Sequence, residues 1–350
     1  MKFERDALLS SLKMVKPAIA VRELLEELTL VWFSQGKLTA YNDADLGIQV
    51  DFSSEFRGGV KGNLIISLLE ASRARQVQID IGEEGEALMK LGGTKFKTNL
   101  FPLENALWEF PEEKSDQRIQ LTPEVLSAFS AVLVSRGADL SSPEQVGVSF
   151  RKEGGKLCLY TTDRKTITRV SLPLPSSYKV EAGGLILSFG FIEQVLKLCQ
   201  KKGEISIFDD YAVAHSPGVR IYTKVLHSES PLDYEGVIKK NVTEISDYFE
   251  IPSRLRLALE RALILLQKDD DVAKLTISEG KMLVEVKSNF GQLNDSMKIE
   301  SSVSMSVGVS PSLLKRALPH TTLMATSGTT IVLKSPDEGF LYFLAGVMKD

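Results

Sequence analysis

Three stretches of the sequence repeat one pattern: "SQGKLTAYNDAD" at 34–45, "EGGKLCLYTTDRKT" at 153–166 and "SEGKMLVEVKSN" at 278–289. Each has a Gly-Lys turn, a short β-prone run and a polar end. The turns recur about every 118–130 residues, far beyond the period of a solenoid, so the pattern marks whole domains.

The flanks fall into step with the turns. Upstream of each lies an extended start running into a helix: "KFERDALLSSLKMV" (2–15), "IQLTPEVLSAFSAVLV" (119–134) and "FEIPSRLRLALERALILLQK" (249–268). "LTPE" and "IPSR" supply the polar residue or Pro with which helices begin. Downstream comes a second unit of strand, short helix and strand, beginning at 58, 183 and 303. These patterns predict an α+β fold of three tandem domains (1–114, 115–242 and 243–350), each built from two strand–helix–strands halves. The expected sum is six helices and some two dozen strands in antiparallel sheets, with polar linkers near 110–117 and 238–246.

The bulk composition is that of a globular protein, 43% hydrophobic and 25% charged, and a net charge of −4 advertises no nucleic-acid partner. A local basic surface is still compatible with that total. Cys158 and Cys199 lie in apolar runs, which fits a reduced compartment and core packing. The N-terminus has no apolar signal core. The longest apolar candidate, "LALERALILLQK", is interrupted by Glu260 and Arg261, so no membrane association and a cytoplasmic location are expected.

Helix faces carry the functional signal. At 100° per residue, Leu255, Leu259, Ala262, Leu263 and Leu266 share one side of the third helical start, and Arg254, Arg261 and Lys268 form a stripe opposite. Near 190–201, Phe191, Val195, Leu198 and Cys199 define the packed side while Lys197 and Lys201 point away. Near 311–318, Leu313, Leu314 and Ala317 pack and Lys315 projects. Lys13, Lys16, Arg73, Arg75 and Arg136 lie on or at the ends of the remaining helices. Positive charge on helices, in an otherwise acidic protein, is a segregated field suited to a polyanion. Wet helix faces and helix C-termini also attract such charges without any ligand.

Chemistry for an enzyme is missing. The sequence has no G-x-x-x-x-G-K-[ST] loop, and "ILSFG" lacks the first Gly of a nucleophile elbow. His215, His227 and His320 are isolated. "KDDDVAK" and "FDDY" read as acidic turns, and "NDAD" lacks the Gly and Glu of a calcium loop. No enzyme activity, metal or cofactor is expected.

In order and spacing, "MKFERDALLSSLK" (1–13), "LYTTDRKTITRVSLPLP" (159–175), "SPLDYEGVIKKN" (230–241) and "RALILLQKDDDVAKLTI" (261–277) resemble the bacterial β-type DNA sliding clamp, the processivity factor of replicative polymerases. The resemblance covers the whole chain. It implies a head-to-tail homodimeric ring with sheets outside and helices lining a hole, through which duplex DNA passes independently of sequence. It implies DNA contacts at Lys13, Lys16, Arg73, Arg75, Arg136, Lys197, Lys201, Arg254, Arg261, Lys268 and Lys315. A pocket for short linear motifs of polymerase and clamp loader would involve Thr162, Ile167, Leu232, Val237, Phe343 and Ala345. The ring interface would use Ile264 and Leu265 on one side and Leu107 and Trp108 on the other.

The chain also departs from the family. "TDRKTI" stands where the family has a "TDGHRL"-like run, "PLDYEGVIK" stands for "FPDYRRVLP", and the end reads "FLAGVMKD" rather than "VMPMRL". Such divergence suits a specialised or virus-encoded clamp, located in the host cytoplasm in the latter case. The alternative reading is a protein-interaction scaffold of the same fold that never encircles DNA.

Overall fold

The repeated Gly-Lys turns are two-residue β-hairpins of one geometry. Their flanking residues pair as Ser34↔Lys37, Glu153↔Lys156 and Ser278↔Lys281. Both central residues have positive φ in every case: Gln35 and Gly36, Gly154 and Gly155, Glu279 and Gly280. Two consecutive positive φ values make the turn whose twist matches the flanking strands, and glycine at the second position keeps it unstrained.

The structure is a computed structural model. It describes residues 1–350 except 22–24, 43, 44, 83, 84, 112–114, 138–141, 179–183, 200, 201, 243, 244, 246, 267–271, 338 and 346–350. The first third begins β1 (Lys2–Glu4), α1 (Arg5–Val15), β2 (Leu30–Ser34), β3 (Lys37–Tyr41), β4 (Leu46–Asp51). Its second half is β5 (Gly58–Lys61), α2 (Gly62–Ala71), β6 (Gln76–Ile81), β7 (Glu86–Leu91), β8 (Thr94–Asn99). The middle third runs β9 (Gln117–Gln120), α3 (Pro123–Val132), the short α4 (Pro143–Val146), β10 (Gly147–Glu153), β11 (Lys156–Thr162), β12 (Thr166–Pro173). It continues β13 (Leu185–Ser188), α5 (Phe189–Leu198), β14 (Glu204–Ile207), β15 (Tyr211–Ser216), β16 (Val219–Leu226) and ends on α6 (Tyr234–Val242). The last third runs β17 (Phe249–Glu250), α7 (Leu255–Leu265), β18 (Ala273–Ser278), β19 (Lys281–Ser288), β20 (Gly291–Lys298). It closes with β21 (Met305–Val309), α8 (Pro311–Ala317), β22 (Leu323–Ser327), β23 (Thr330–Lys334), β24 (Phe340–Ala345). The strand–helix–strands half therefore recurs throughout, as the sequence predicts, but the described residues add α4 and α6 to the six expected helices.

Contacts divide the chain into two compact units, residues 1–123 with 190–225, and residues 124–189 with 226–350. In the first, β1-β6-β7-β8 form a four-stranded sheet, and β9-β14-β15-β16-β4-β3-β2-β5 follow one another in a second. In the second unit, β20-β19-β18-β21 form the four-stranded sheet and β17-β22-β23-β24-β12-β11-β10-β13 run in order. These pairings are antiparallel, so the hairpin register alone decides which side chains face the helices.

Helix spacing explains the packing. α1 buries Leu8, Leu9, Leu12 and Val15, spaced i, i+1, i+4, i+7, and α7 buries Leu255, Ala258, Leu259 and Ala262, spaced i, i+3, i+4, i+7, each one face of an amphipathic helix. Each fully buried Leu contributes about 1.5–3 kcal/mol of transfer free energy. Several expectations need correction. Leu198, Leu263, Leu266 and Leu313 are half-buried rather than fully packed; Leu198 is the last residue of α5 and Leu266 follows α7. The linker expected at 238–246 starts inside α6. There, Asp233 accepts a hydrogen bond from the Gly236 amide at 2.9 Å, capping a helix start that the hydrophobic pattern conceals. Gly236 makes room for that cap, since a Cβ there would lie 2.1 Å from the Asp233 carboxylate.

Candidate nucleic-acid interface and partner pocket

Helix ends place most of the expected cations in solvent. Lys13 sits in the last turn of α1 with Nζ 2.8 Å from Glu70 Oε1 on α2. Its hydrogen bond holds the Glu70 carboxyl below the usual range, with the Lys16 and Arg5 charges acting in the same direction. Lys16 follows α1, Arg73 and Arg75 follow α2, and all three are exposed. Arg136, just past the turn after α3, lies 5.7 Å over the Phe189 ring. Lys197 is exposed in the last turn of α5. Lys201 and Lys268 lie outside the described residues.

The α7 stripe converges on one acid. Asp295 on β20 takes Arg261 Nη1 at 2.8 Å and Arg254 Nη2 at 3.6 Å. The Asp295 side chain is only 9% exposed, whereas those of Arg254 and Arg261 are 61% and 45% exposed. Arg254 occupies the N-cap of α7, where a cation opposes the helix dipole, and Asp295 offsets that cost. Lys315 on α8 is half-buried rather than projecting, because Nζ turns to Glu260 Oε1 at 3.3 Å; Arg256 approaches the same oxygen at 3.3 Å. Hydrogen bonds from Arg256 and Lys315 hold Glu260 low.

Sequence reasoning misses the acids of these clusters. The Arg256–Glu260 pair is readable as an i, i+4 spacing. Asp295 also leaves a signal, since it stands in the alternating run of β20 at the inward position shared with Met297. Glu70 pairs across two helices and leaves no local trace.

Strand register in the second unit brings three of the residues expected at a partner pocket into one row. Thr162 pairs with Ile167, Ile167 with Phe343, and Phe343 with Val332, across β11, β12, β24 and β23. Residues paired across neighbouring strands share a face, so Thr162, Ile167 and Phe343 stand in one row. Phe343 is buried in a cluster with Tyr160, Tyr234, Ile238, Val332 and Leu341, and Ile167 packs against its edge. Ala345 is placed only by register, opposite Thr330. Thr162 is turned inward: its hydroxyl donates to the Thr166 carbonyl at 2.7 Å and so fixes the β11–β12 turn. Tyr234, at the start of α6, stacks on Tyr160 at 4.6 Å, and burial pushes its hydroxyl up to about 12. Leu232 and Val237 flank that anchor and remain 37% exposed.

No protein-family model and no curated protein matches the sequence. Solved structures do match. A sliding clamp (DNA polymerase III subunit beta) from Bartonella birtlesii, bound to griselimycin, superposes with a TM-score of 0.86 at 18% identity, covering 100% of this chain and 99% of that one. The Bacillus subtilis DNA polymerase sliding clamp matches at 0.82 and 15%, with 100% and 99% covered. The DNA polymerase III beta subunit from Thermotoga maritima matches at 0.81 and 18%, with 100% and 99% covered. The chain has the bacterial sliding-clamp fold.

On this clamp fold the expected interface residues differ among themselves. Ile264 is 80% exposed on α7, while Leu265 beside it is half-buried. Leu107 is 56% exposed. Trp108 has its ring engaged within the first unit, stacked on Tyr41 at 4.5 Å and packed against Tyr222 and Phe110. Gly47 admits the indole, because a Cβ there would lie 2.7 Å from it. Among the described residues no cluster of His, Cys, Asp or Glu could hold a metal, and no helix is long and apolar enough to cross a membrane.

Proposed function

We propose that this chain is a DNA sliding clamp: a homodimeric ring of three domains per chain, with boundaries near residues 114 and 242. The ring encircles duplex DNA and tethers a replicative polymerase, and it performs no catalysis. The observation that carries this reading is a clamp fold matched over 100% of the chain. Exposed Lys13, Lys16, Arg73, Arg75, Arg136, Lys197, Arg254 and Arg261 support it, with Lys315, Lys201 and Lys268 as further contacts. Long flexible cations reach phosphates without reading bases, so the contacts allow sliding. Polymerase and clamp loader dock by short motifs at the Ile167–Phe343 row between the Leu232 and Val237 rims. Ile264 and Leu265 of one subunit meet Leu107 and the Trp108 region of the other, since an exposed isoleucine beside a basic stripe calls for a cover.

One observation favours the second reading, a clamp-fold scaffold that does not encircle DNA. Several of the cations are already paired to Glu70, Glu260 and Asp295. Sedimentation equilibrium tests the ring: the clamp reading requires twice the chain mass of 38.6 kDa, and a monomer at micromolar concentration would leave only the scaffold.

A further inference from the structure

Three carboxylates stand among cations of the candidate DNA surface, each in an ion pair with at least one of them. Glu70 meets Lys13 at 2.8 Å with Lys16 and Arg5 close by. Asp295 meets Arg261 at 2.8 Å and Arg254 at 3.6 Å. Glu260 meets Lys315 and Arg256, both at 3.3 Å. Asp295 and Glu260 each pair with two bases, and Glu70 pairs with Lys13 under the added charge of Lys16 and Arg5, so each cluster keeps a positive remainder that is smaller than its base count. We infer that Glu70, Glu260 and Asp295 are affinity-limiting residues that hold the DNA-facing cations below full strength, so that the contacts stay weak enough for movement along the duplex.

The inference rests on the clamp reading above. Its physical basis is competition: a phosphate and a carboxylate present the same kind of acceptor to a guanidinium or ammonium. Every phosphate contact must therefore displace or share an internal partner. The bland alternative is that the acids are staples, joining α1 to α2, α7 to α8 and α7 to β20. The two differ in sign. A staple removed lowers stability and leaves DNA affinity equal or weaker. A competitor removed raises affinity.

The test uses the full chain carrying Glu70→Gln, Glu260→Gln and Asp295→Asn, with short duplex DNA followed by fluorescence anisotropy from 50 to 200 mM salt. Removing one exposed negative charge about 6 Å from a bound phosphate is worth a factor of about three at low salt. The triple variant is thus expected to bind about 10- to 30-fold tighter at low salt, with a salt slope steeper by about 0.9 for each additional phosphate neutralised. Equal or weaker binding with an unchanged slope overturns the inference. If Asp295→Asn impairs folding, the Glu70→Gln/Glu260→Gln pair carries the same test on exposed positions. The parent chain and Arg254→Gln/Arg261→Gln serve as references. Salt-sensitive parent binding that this pair weakens, with no tighter binding on removing the acids, overturns this inference alone. Parent binding that neither salt nor the arginines affect overturns the clamp reading, and this inference with it.

Discussion

Replacing Arg254 and Arg261 together by Gln separates two roles of the same side chains. In the folded chain both guanidiniums hold Asp295, whose side chain is 9% exposed. Their loss strands a largely buried carboxylate, at a cost of about 1–3 kcal/mol, the usual penalty for an unsatisfied buried polar group. Adding Asp295→Asn to the double variant removes that charge, and most of the lost stability is expected to return. The salt slope of DNA binding should not return with it. If both arginines contact phosphate, the salt slope falls by about 1.8, so that the loss of affinity between 50 and 200 mM salt shrinks about 12-fold. Thermal melting reads the first effect and anisotropy on a salt series the second. A folded triple variant with the parent's salt slope would refute the assignment of the α7 stripe to DNA.

Other perturbations separate core from rim. Leu232→Asp and Val237→Asp alter exposed positions, so melting should hold within about 0.5 kcal/mol while binding of a polymerase-derived motif peptide is lost by calorimetry. Phe343→Ala, in the buried floor, should instead cost about 3–5 kcal/mol in a denaturant titration. Ile264→Glu is expected to halve the solution mass in sedimentation without lowering the stability of the single chain. Burial, followed by the Arg220 charge, holds His215 below its ordinary 6.5, and burial alone does so for His320. Below about pH 6.5 the unfolded chain therefore binds more protons than the folded one, so stability falls as pH drops from there and is unaffected by these groups above it. His215→Gln and His320→Gln should flatten that slope in urea titrations from pH 7 to 5.

The fold was legible because it is written three times. The Gly-Lys hairpins share one backbone geometry, and only glycine-tolerant turns of that kind keep the register that buries Leu38, Leu159 and Val284. The α7 core of Leu255, Ala258, Leu259 and Ala262 follows from spacing alone. What the sequence concealed was long-range. Helix α6 is amphipathic over too few turns to read through "GVIKKN", and it is fixed by Tyr234 stacking on Tyr160, seventy-odd residues earlier. A helical wheel shows Arg254 and Arg261 opposite the core but not that β20 brings Asp295 beneath them. Trp108 is expected at a ring interface, yet nothing in "ENALWEF" tells that Gly47 on β4 opens the slot its indole fills.

The proposal that helix-borne cations surround duplex DNA has its plainest consequence in topology. Purified protein loaded on nicked circular duplex should co-elute with the DNA through gel filtration at moderate salt and be released when one cut makes the circle linear. Equal retention on circle and line, or none on either under conditions where the protein is dimeric, would contradict a ring that holds DNA by enclosing it.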